Sequence, residues 1–441
     1  MSEKKVRVGL VGFGTIGCGV AKIILKQADR IVATTGLRIE LAAVVDIDTQ
    51  SPRPLTLPQG ILTNDLNSIL NDPTIQIGIE LIGGTGVAKE IQLKLLRAGK
   101  DVVTANKALL AQFGEELYQA ARQNNRCIAF EASCAGGIPI ILAIRNGLTA
   151  NDISAMYGIV NGTCNYILSN MTARGEDFSA VLARAQQKGY AETDPTLDVS
   201  GQDSAHKLTI LASIAFAREI RLEDVYVEGI QSISNDDIRY GKELGYCLKL
   251  LAIAEKNQDG IISLRVHPSF IPEDSRLATV GGPFNAISIF GNAVGQVMFY
   301  GRGAGMMPTA SAVVADLIDV AIGNNATTFR TIRLKPRHEV KSKIGKIDNL
   351  VTRFYIRLLA KDQPGVFAHI GKVLAGKAIS ISGVLQHEGR GPENTVPVVI
   401  TTHPTRESKL RTALESLSSL DTICGAPVCI RIVDIPEDKD S

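Results

Sequence analysis

Apolar and polar positions follow a regular rhythm over the first third of the chain. Short apolar runs predict strands over 6–11, 39–45, 75–82, 101–104 and 127–131. Apolar residues at helical spacing predict intervening helices over 18–27, 88–98 and 113–123. Strands that alternate with helices in this way form a parallel sheet with helices on both faces. We therefore predict an α/β chain whose residues 1–135 form a Rossmann-like, doubly wound domain.

The pattern changes near Pro139, and we expect a second domain of α+β type over residues 136–322. Its predicted elements are a helix over 140–147, a strand over 153–160, a helix opened by Asn161 and a helix over 202–216. The C-terminal helix of this domain is expected to pack back on the first domain. Residues 323–351 are polar and basic without regular apolar spacing, so we interpret them as a connecting segment.

The last part of the chain, residues 352–436, predicts a small third domain. The expected strands cover 353–359, 379–386, 396–402 and 426–433, and the expected helices cover 367–375 and 407–417. Their order is βαββαβ, which is the ferredoxin-like order.

The composition of the chain limits the classes of function that it can have. The chain has 441 residues, 45% of them hydrophobic, and a formal net charge of +2, which gives no indication of a nucleic-acid partner. The N-terminus shows no cleavage-site pattern, and no apolar run is long enough to span a membrane. We expect a cytoplasmic protein without a membrane partner. The seven cysteines are scattered without a CxxC pair, which favours neither a disulfide framework nor a zinc site.

A glycine-rich turn follows the first predicted strand. Its residues are Gly12, Phe13, Gly14, Thr15, Ile16 and Gly17, a GxGxxG pattern between a strand and a helix. Glycines there allow a tight turn, close approach of a pyrophosphate and close helix–strand packing. Asp46 ends the next strand, where a carboxylate can accept hydrogen bonds from ribose hydroxyls. This acid favours NAD, whereas Arg53 in the following loop leaves NADP open.

Three loops of small residues lie at the carboxyl edge of the predicted sheet, where such sheets bind ligands. They cover 82–86, 104–107 and 131–137, and Lys107 is the only fixed cation among them. A solvent-exposed lysine is the commoner interpretation. A cation is disfavoured at a helix N-terminus, however, so we favour a functional role for Lys107.

The stretch GYAETDPTLDVSGQDSAHKL, residues 189–208, places four carboxylates and one lysine between apolar segments. Asp203 and Lys207 are four residues apart and share a helix face. An exposed ion pair would explain them. However, the helix continues as LTILASIAFA, which is apolar on nearly every face and predicts burial. Buried charges need partners or a function, so we favour a polar helix end that faces a cavity.

Several motifs together resemble the homoserine dehydrogenase family, in the form that carries a C-terminal ACT domain. They are GFGTIG, ELIGGTGVAKE, VVTANKALLA, FEASCAGGIPII, GIVNGTCNYIL, the stretch 189–208, and YGRGAGMMPTASAVVAD at 300–316. The resemblance runs along nearly the whole chain. In the C-terminal domain, the DQPGV turn and the strand ISISGVLQ resemble ACT domains.

The resemblance implies roles for individual residues. It makes Lys207 and Lys107 catalytic, assigns Glu192 and Asp203 to the substrate's amino group, and places Gly189 and Gly303 near the nicotinamide. It also implies a monovalent cation site, for sodium, at main-chain carbonyls of Glu131, Cys134, Gly136 and Ile138. In the ACT domain it points to Asp362 and Gly365 for an effector. Arg302 stands where many relatives have proline, and Asp46 departs from the basic pattern of NADP-preferring members.

The implied reaction interconverts L-aspartate 4-semialdehyde and L-homoserine with NAD or NADP, in threonine, methionine and isoleucine biosynthesis. The resemblance further implies feedback inhibition by L-threonine and a homodimer or homotetramer. Two alternatives remain open at this point. The chain could be a sensor that binds nucleotide and amino acid without turnover, but a sensor has no use for two lysines. It could also be a 2-hydroxy-acid dehydrogenase of the phosphoglycerate type, but that chemistry favours a histidine and places its glycine motif later in the chain.

Overall fold

The computed structural model describes residues 3–331, 343–387 and 394–436. The strands, in chain order, are β1 Lys4–Val11, β2 Leu37–Val45, β3 Leu62–Thr63, β4 Ile75–Glu80, β5 Asp101–Thr104, β6 Ile128–Ala129, β7 Ile153–Ile159, β8 Tyr226–Val227, β9 Tyr246–Lys256, β10 Ile261–Pro272, β11 Phe284–Gly291, β12 Gly295–Arg302, β13 Lys343–Ile344, β14 Val351–Lys361, β15 Ile381–Leu385, β16 Thr395–Thr402, β17 Thr405–Arg406 and β18 Val428–Ile432. The α-helices are α1 Thr15–Lys26, α2 Ala28–Thr35, α3 Asn67–Leu70, α4 Val87–Arg97, α5 Lys107–Gln123, α6 Ile140–Leu142, α7 Gly162–Arg174, α8 Phe178–Gln187, α9 Thr196–Val199, α10 Gln202–Ala215, α11 Asn235–Glu243, α12 Met306–Ile322, α13 Asn324–Thr331, α14 Val366–Gly376 and α15 Glu407–Ser418. Shorter 3₁₀ turns cover Glu131–Ser133, Leu222–Asp224 and Ile347–Asn349, and a π turn covers Ala143–Gly147.

The described residues group into two units that combine separated parts of the chain. The first draws on Met1–Ile153, Ser204–Asp224 and Phe284–Ser342, and the second on Ser154–Asp203, Val225–Pro283 and Lys343–Ser441. The sequence-based boundaries at 135/136 and 322/323 differ from this division, because the polypeptide leaves the first unit and returns to it twice. Such returns follow from tertiary packing, which local patterns do not report.

The first unit contains the predicted doubly wound sheet. Among the described residues its strand order is β3-β2-β1-β4-β5-β6, with every neighbouring pair parallel. This is the order of dinucleotide-binding Rossmann sheets and confirms the predicted fold class. Val8 and Leu10 on one face of β1 and Val11 on the other are buried, as expected for a central strand covered on both faces.

Two helices of the first unit begin earlier than the sequence pattern predicts. The first helix begins at Thr15 rather than Cys18, directly after the glycine turn. The fifth begins at Lys107 rather than Phe113, because the side chain of Asn106 accepts a hydrogen bond from the Leu109 N–H and caps it. Lys107 is therefore the first residue of α5.

The first unit also includes the antiparallel hairpin β11–β12 and helix α12. Helix α12 packs tightly on α1, since a Cβ added at Gly19 would lie 2.9 Å from Cγ of Met306. Residues 324–331, predicted as part of a connecting segment, form helix α13 instead. Residues 332–342 of that segment lie outside the described residues.

The second unit contains a mixed sheet with the partial order β7-β9-β10-β18-β14-β16-β15. Its last four strands, with α14 and α15, form the predicted ferredoxin-like βαββαβ arrangement. Apolar side chains from both helices and all but the outermost of these strands make its core, including Phe354, Ile356, Ile370, Leu374, Ile400 and Leu410. This small domain joins the preceding sheet directly, because β18 pairs in parallel with β10.

Buried ion pairs accompany that strand pairing. Arg431 on β18 pairs with Glu407 at 2.6 Å and with Glu228 at 2.8 Å, and its side chain is 7% exposed. Arg357 on β14 pairs with the fully buried Asp237 at 2.7 Å. Removing the C-terminal domain would leave the fully buried Asp237 without Arg357, and an unpaired buried charge is strongly destabilising. A chain truncated near residue 350 is therefore unsuitable for testing regulation, because the truncation itself would destabilise the remaining protein.

Among the described residues, no single helix has the length and apolar character needed to cross a membrane; only the pair Met306–Ile322 and Asn324–Arg330, bent by 80°, meets those two criteria jointly.

Candidate active site

The glycine turn after β1 has one position that is open to a ligand. Gly12 has a φ of 97°, and a Cβ at Gly17 would lie 2.1 Å from the Gly12 carbonyl oxygen, so the fold itself needs both glycines. At Gly14, by contrast, a Cβ would meet no atom within 4 Å. Gly14 also precedes the first turn of α1, whose N–H groups favour anions. The turn thus fits a dinucleotide pyrophosphate, with Phe13, Thr15 and Ile16 completing it.

Asp46 and Arg53 lie together beside this turn. The Asp46 carboxylate accepts hydrogen bonds from the N–H of Phe13 at 2.5 Å and from the N–H of Asp48 at 2.9 Å. A guanidinium nitrogen of Arg53 lies 3.7 Å from the same carboxylate and donates to the Asp48 carbonyl at 3.0 Å. A carboxylate that can accept hydrogen bonds from ribose hydroxyls and a guanidinium that can bind a phosphate therefore lie together at the end of β2.

Glu80 organises the neighbouring loops, a role that the sequence analysis did not assign. It is fully buried at the end of β4 and accepts hydrogen bonds from the N–H groups of Ile82 and Gly83. Its second oxygen accepts from Gln92 at 2.7 Å and from the Thr104 hydroxyl at 2.8 Å. The signal was a single acid in the otherwise apolar strand Ile75–Glu80, because a buried carboxylate needs several donors.

The two predicted catalytic lysines lie near one buried thiol of the first unit. Lys107 is partly buried at the start of α5, and Lys207 on α10 is 7% exposed. Burial raises the pKa of the Cys134 thiol to about 12, while the charges of Lys207 and Lys107 oppose that rise. The Cys134 sulfur also lies 3.8 Å from the Lys207 carbonyl oxygen, to which the thiol donates. The charges of Lys107 and Lys207 thus both act on the same buried thiol.

The segment that contains the predicted cation ligands is buried and sharply bent. Ala135 has a φ of 47°, and the N–H groups of Gly136 and Gly137 donate to the carbonyls of Gly303 and Arg302. The Ile138 carbonyl accepts from the Ile140 N–H at 2.8 Å and retains a second lone pair. Neutral carbonyl oxygens at Glu131, Cys134, Gly136 and Ile138 are donors that suit a hard cation such as sodium.

The side chain of Glu131 has a separate, structural task. Its two oxygens accept from the N–H groups of Ile141 and Leu142, at 2.8 and 2.7 Å, and so cap α6. Its own N–H donates to Asp316 on α12 at 2.7 Å. Burial, together with the neighbouring Glu131 carboxylate, raises the pKa of Asp316 well above its usual value. These surroundings thus favour the neutral form of Asp316 over the ionised one.

In the second unit, the first turn of α7 holds the acidic stretch in place. The Asn161 amide nitrogen donates to Asp198 at 2.7 Å and to Asp203 at 2.8 Å, while its oxygen accepts from the Cys164 N–H. The Thr163 hydroxyl donates to the Tyr190 carbonyl at 2.6 Å. Asp198 lies in this cluster and shares the Asn161 amide with Asp203.

The other acids of the stretch lie apart from this cluster. Glu192 is exposed, in the loop between α8 and α9. Asp194 accepts from the Thr196 N–H and hydroxyl, which lowers its pKa and fits the expected loop role. Gly189 ends α8 with a φ of 70° and is exposed. The structure therefore brings Asp203 and Asp198 together but does not gather Glu192 with them.

Gly303 and Arg302 both have structural explanations in the first unit. A Cβ at Gly303 would lie 1.9 Å from the amide nitrogen of Asn285, so only glycine fits there. Arg302, which sequence reasoning could not interpret, places its guanidinium 5.4 Å from the centroid of the Phe284 ring. Phe284 in turn stacks on Tyr300, with ring centroids 5.3 Å apart.

The predicted effector residues lie in the turn between β14 and α14. The Asp362 N–H donates to the Asn394 carbonyl at 2.9 Å, and the Asn394 amide donates back to the Asp362 carbonyl at 3.1 Å. Gly365 precedes α14 with a φ of 92°. Both residues are exposed, which leaves this turn accessible to a ligand.

A Rossmann-order sheet with an open glycine turn, an acid at the end of β2 and two lysines whose charges act on one buried thiol is typical of a NAD(P)-dependent oxidoreductase. Family models for homoserine dehydrogenase match residues 139–318 and, for its NAD-binding domain, residues 12–131. A model for the ACT domain matches residues 354–421. The chain belongs to the homoserine dehydrogenase family.

Individual relatives agree with this assignment. The homoserine dehydrogenase of Synechocystis sp. is 42% identical over 435 residues, which are 97% of this chain and 99% of that protein. The crystal structure of a homoserine dehydrogenase from Thiobacillus denitrificans is 41% identical with a TM-score of 0.91, over 98% of this chain and 99% of that one. A hyperthermophilic archaeal homoserine dehydrogenase mutant, solved in complex with NADPH, is 26% identical with a TM-score of 0.60, over 72% and 98% of the two chains.

The raised pKa of Asp316 predicts a specific pH dependence of stability. A carboxyl group with a raised folded-state pKa stabilises fully below its unfolded pKa of about 3.9, and that contribution is lost as the pH rises through the folded value. Asp316→Asn keeps an oxygen that can accept a hydrogen bond from the Glu131 N–H. Because asparagine does not ionise, the variant does not lose stability as the pH rises. We expect an unchanged unfolding temperature near pH 4 and a rise of a few degrees at pH 8, measured by thermal denaturation.

Asp319→Asn, on the same helix, is the matched control. Asp319 is partly exposed and pairs with Arg145 at 3.7 Å, so its substitution should bring no gain at pH 8. Destabilisation of Asp316→Asn at pH 8 would show instead that Asp316 is ionised and stabilising.

Proposed function

We propose that the chain interconverts L-aspartate 4-semialdehyde and L-homoserine with NAD or NADP, as a step of threonine, methionine and isoleucine biosynthesis. The observation that supports this most is the buried Lys207, whose carbonyl oxygen lies 3.8 Å from the Cys134 sulfur, in a chain of the homoserine dehydrogenase family; the charge of Lys107 acts on the same thiol. An aldehyde that is reduced to an alcohol develops negative charge on its oxygen and must receive a proton. Ammonium groups supply both the stabilisation and the proton.

Lys207 is the proposed proton donor and acceptor, and Lys107 assists it. Lys207 lies on a regular, buried helix, so its side chain is positioned by packing rather than by a mobile loop. Lys107 is fixed at the first residue of α5, beside the Asn106 cap. The nicotinamide, when bound to the residues of the glycine turn and Asp46, supplies or accepts the hydride. Gly189 and Gly303 are the proposed neighbours of that ring.

Carboxylates are the proposed recognition groups for the ammonium of the substrate. Asp203 is 5% exposed and shares the Asn161 amide with the partly buried Asp198, so two carboxylates lie together at this position. Carboxylates form charge-assisted hydrogen bonds with an ammonium group. Glu192 is exposed without substrate, and we assign its contact with the ammonium to the substrate-bound form.

Sodium is the proposed occupant of the carbonyl segment 131–138. We assign the ion a structural role, in which the carbonyl oxygens bind it and it holds this bent segment together. No substrate step depends on it.

Substitution of Lys207 tests the proposed chemistry. We expect wild type to oxidise L-homoserine and Lys207→Ala to lose at least about 10²-fold in kcat, because proton transfer by a positioned side chain contributes that much. Steady-state absorbance of the reduced nucleotide measures the rate, and nucleotide affinity should stay within about twofold. Lys22→Ala removes an exposed lysine of α1 and is the matched control, with unchanged kinetics.

Two outcomes would redirect the proposal. If Lys207→Ala keeps its kcat, the proton is transferred by another group. If wild type binds nucleotide but oxidises no L-homoserine with NAD or NADP, the protein acts as a sensor of nucleotide and amino acid rather than as this enzyme.

Arg53 is the proposed reason that NADP is accepted despite Asp46. Its guanidinium lies beside the Asp46 carboxylate and has the geometry that binds phosphate. The archaeal relative solved with NADPH supports use of that nucleotide in the family.

Arg53→Ala should therefore lower kcat/KM for NADP by about tenfold or more, since hydrogen bonds to charged groups contribute about 1.5–3 kcal/mol. The value for NAD should change by less than about threefold. Parallel assays with the two nucleotides measure the ratio. An equal loss with both would mean that Arg53 only supports the loop 46–53.

L-threonine is the proposed effector of the ACT domain, at the turn formed by Asp362 and Gly365. This domain carries exposed apolar side chains at Phe367 on α14 and at Ile381 and Val384 on β15, and exposed apolar groups suit pairing with a second copy in a homodimer or homotetramer. ACT domains bind amino acids at such paired interfaces.

Asp362→Ala should raise the L-threonine concentration for half-inhibition by about tenfold or more, because a carboxylate is the natural partner of the effector's ammonium. Activity without threonine should stay unchanged. Glu415→Ala, which removes an exposed acid of α15, should keep normal inhibition. If threonine does not inhibit wild type, the ACT domain has another effector or serves assembly alone.

A further inference from the structure

Asn161 occupies an unusual place among the polar residues of the second unit. It directly precedes α7, and its side chain is 4% exposed. Its amide oxygen accepts from the Cys164 N–H at 2.8 Å, which is a helix cap. Its amide nitrogen has two hydrogens and donates to two different carboxylates, Asp198 and Asp203.

The double donation addresses an electrostatic problem. Asp198 and Asp203 each lie within 2.8 Å of one nitrogen atom, so their carboxylates are close to each other. Like charges at that distance repel strongly, and more so where water is excluded. The Asn161 amide donates one hydrogen bond to each carboxylate, and the N-terminal end of the α7 dipole adds positive potential near them. A neutral amide thus holds two negative groups at a fixed separation.

A cap alone does not need asparagine. Serine and aspartate cap helices about as well, because each supplies an oxygen to the same N–H groups. Among these residues only asparagine also carries an amide that donates two N–H groups. The choice of asparagine is therefore explained by the carboxylates rather than by the helix.

We propose that Asn161 is a positioning residue that holds Asp203 and Asp198 in the arrangement that receives the substrate's ammonium group. This inference rests on the proposed function. Asn161 itself touches neither the reacting carbon nor the nucleotide in this account, and it acts through the two carboxylates. Its effect should therefore be on substrate affinity rather than on the hydride-transfer step or on nucleotide binding.

Two substitutions separate positioning from capping. Asn161→Ser keeps an oxygen for the Cys164 N–H but removes both amide donors. Asn161→Asp keeps the shape and the cap but places a third carboxylate beside the other two. Both variants and wild type are assayed as full chains for L-homoserine oxidation, with KM for L-homoserine, KM for nucleotide, kcat and unfolding temperature measured for each.

We expect Asn161→Ser to raise KM for L-homoserine about tenfold and Asn161→Asp to raise it further. The KM for nucleotide and the unfolding temperature of Asn161→Ser should stay close to wild type, and kcat should fall by less than about threefold. A KM increase that appears without a fall in unfolding temperature is a result that a purely structural cap does not produce.

Other outcomes overturn the inference. If Asn161→Ser has the wild-type KM for L-homoserine, or if each KM increase follows a matching fall in unfolding temperature, Asn161 is a helix cap only. If kcat falls while KM stays constant, Asn161 acts on the chemical step and not on positioning. Failure of wild type itself to oxidise L-homoserine contradicts the proposed function instead, so the two failures are distinguishable.

Discussion

The structure of the acidic stretch depends on one arrangement, in which the first turn of α7 supplies hydrogen-bond donors to a loop rich in carboxylates. Asn161 donates to Asp198 and Asp203, Thr163 donates to the Tyr190 carbonyl, and the Cys164 thiol donates to the Asp198 carbonyl at 3.2 Å. Without these hydrogen-bond donors, two carboxylates this close together would move apart and be hydrated separately. The carboxylates of residues 189–208 therefore divide into a hydrogen-bonded pair, the buried Asp203 and the partly buried Asp198, and two exposed members, Glu192 and Asp194.

A different constraint shapes the first unit, where close backbone contacts place charged groups at the carboxyl edge of a parallel sheet. The absence of a side chain at Gly17 lets α1 approach β1. The absence of a side chain at Gly303 lets the backbone there lie against the side chain of Asn285. Buried Glu80 then fixes the loops that follow β4 and β5. Rigid loops of this kind keep Lys107 at the start of α5, and a regular helix does the same for Lys207. Preorganised charge of this type is what hydride transfer to a carbonyl requires.

Much of this architecture could be predicted from the sequence, because its main elements have strong local signals. The alternation of apolar strands and amphipathic helices gave the sheet, and the DQPGV turn with its flanking pattern indicated the C-terminal domain. The start of α5 was missed because its signal is the single cap at Asn106. Helix α13 was missed because residues 324–331 are polar and lack apolar periodicity. Asn161 was visible as a cap, but its partners lie 37 and 42 residues away and follow only from the folded chain.

The most direct test concerns the ammonium group of the substrate, because its recognition by Asp203 and Asp198 is the central proposal for this site. The measurement is kcat/KM of wild type for L-homoserine and for 4-hydroxybutanoate, which has the same carbon chain and hydroxyl but no amine. Sites built to hydrogen-bond a polar group reject the analogue that lacks it by about 10⁴-fold or more. The account predicts a preference of that order for L-homoserine. Values within tenfold of each other would contradict it, because the buried carboxylates would then have no part in substrate recognition.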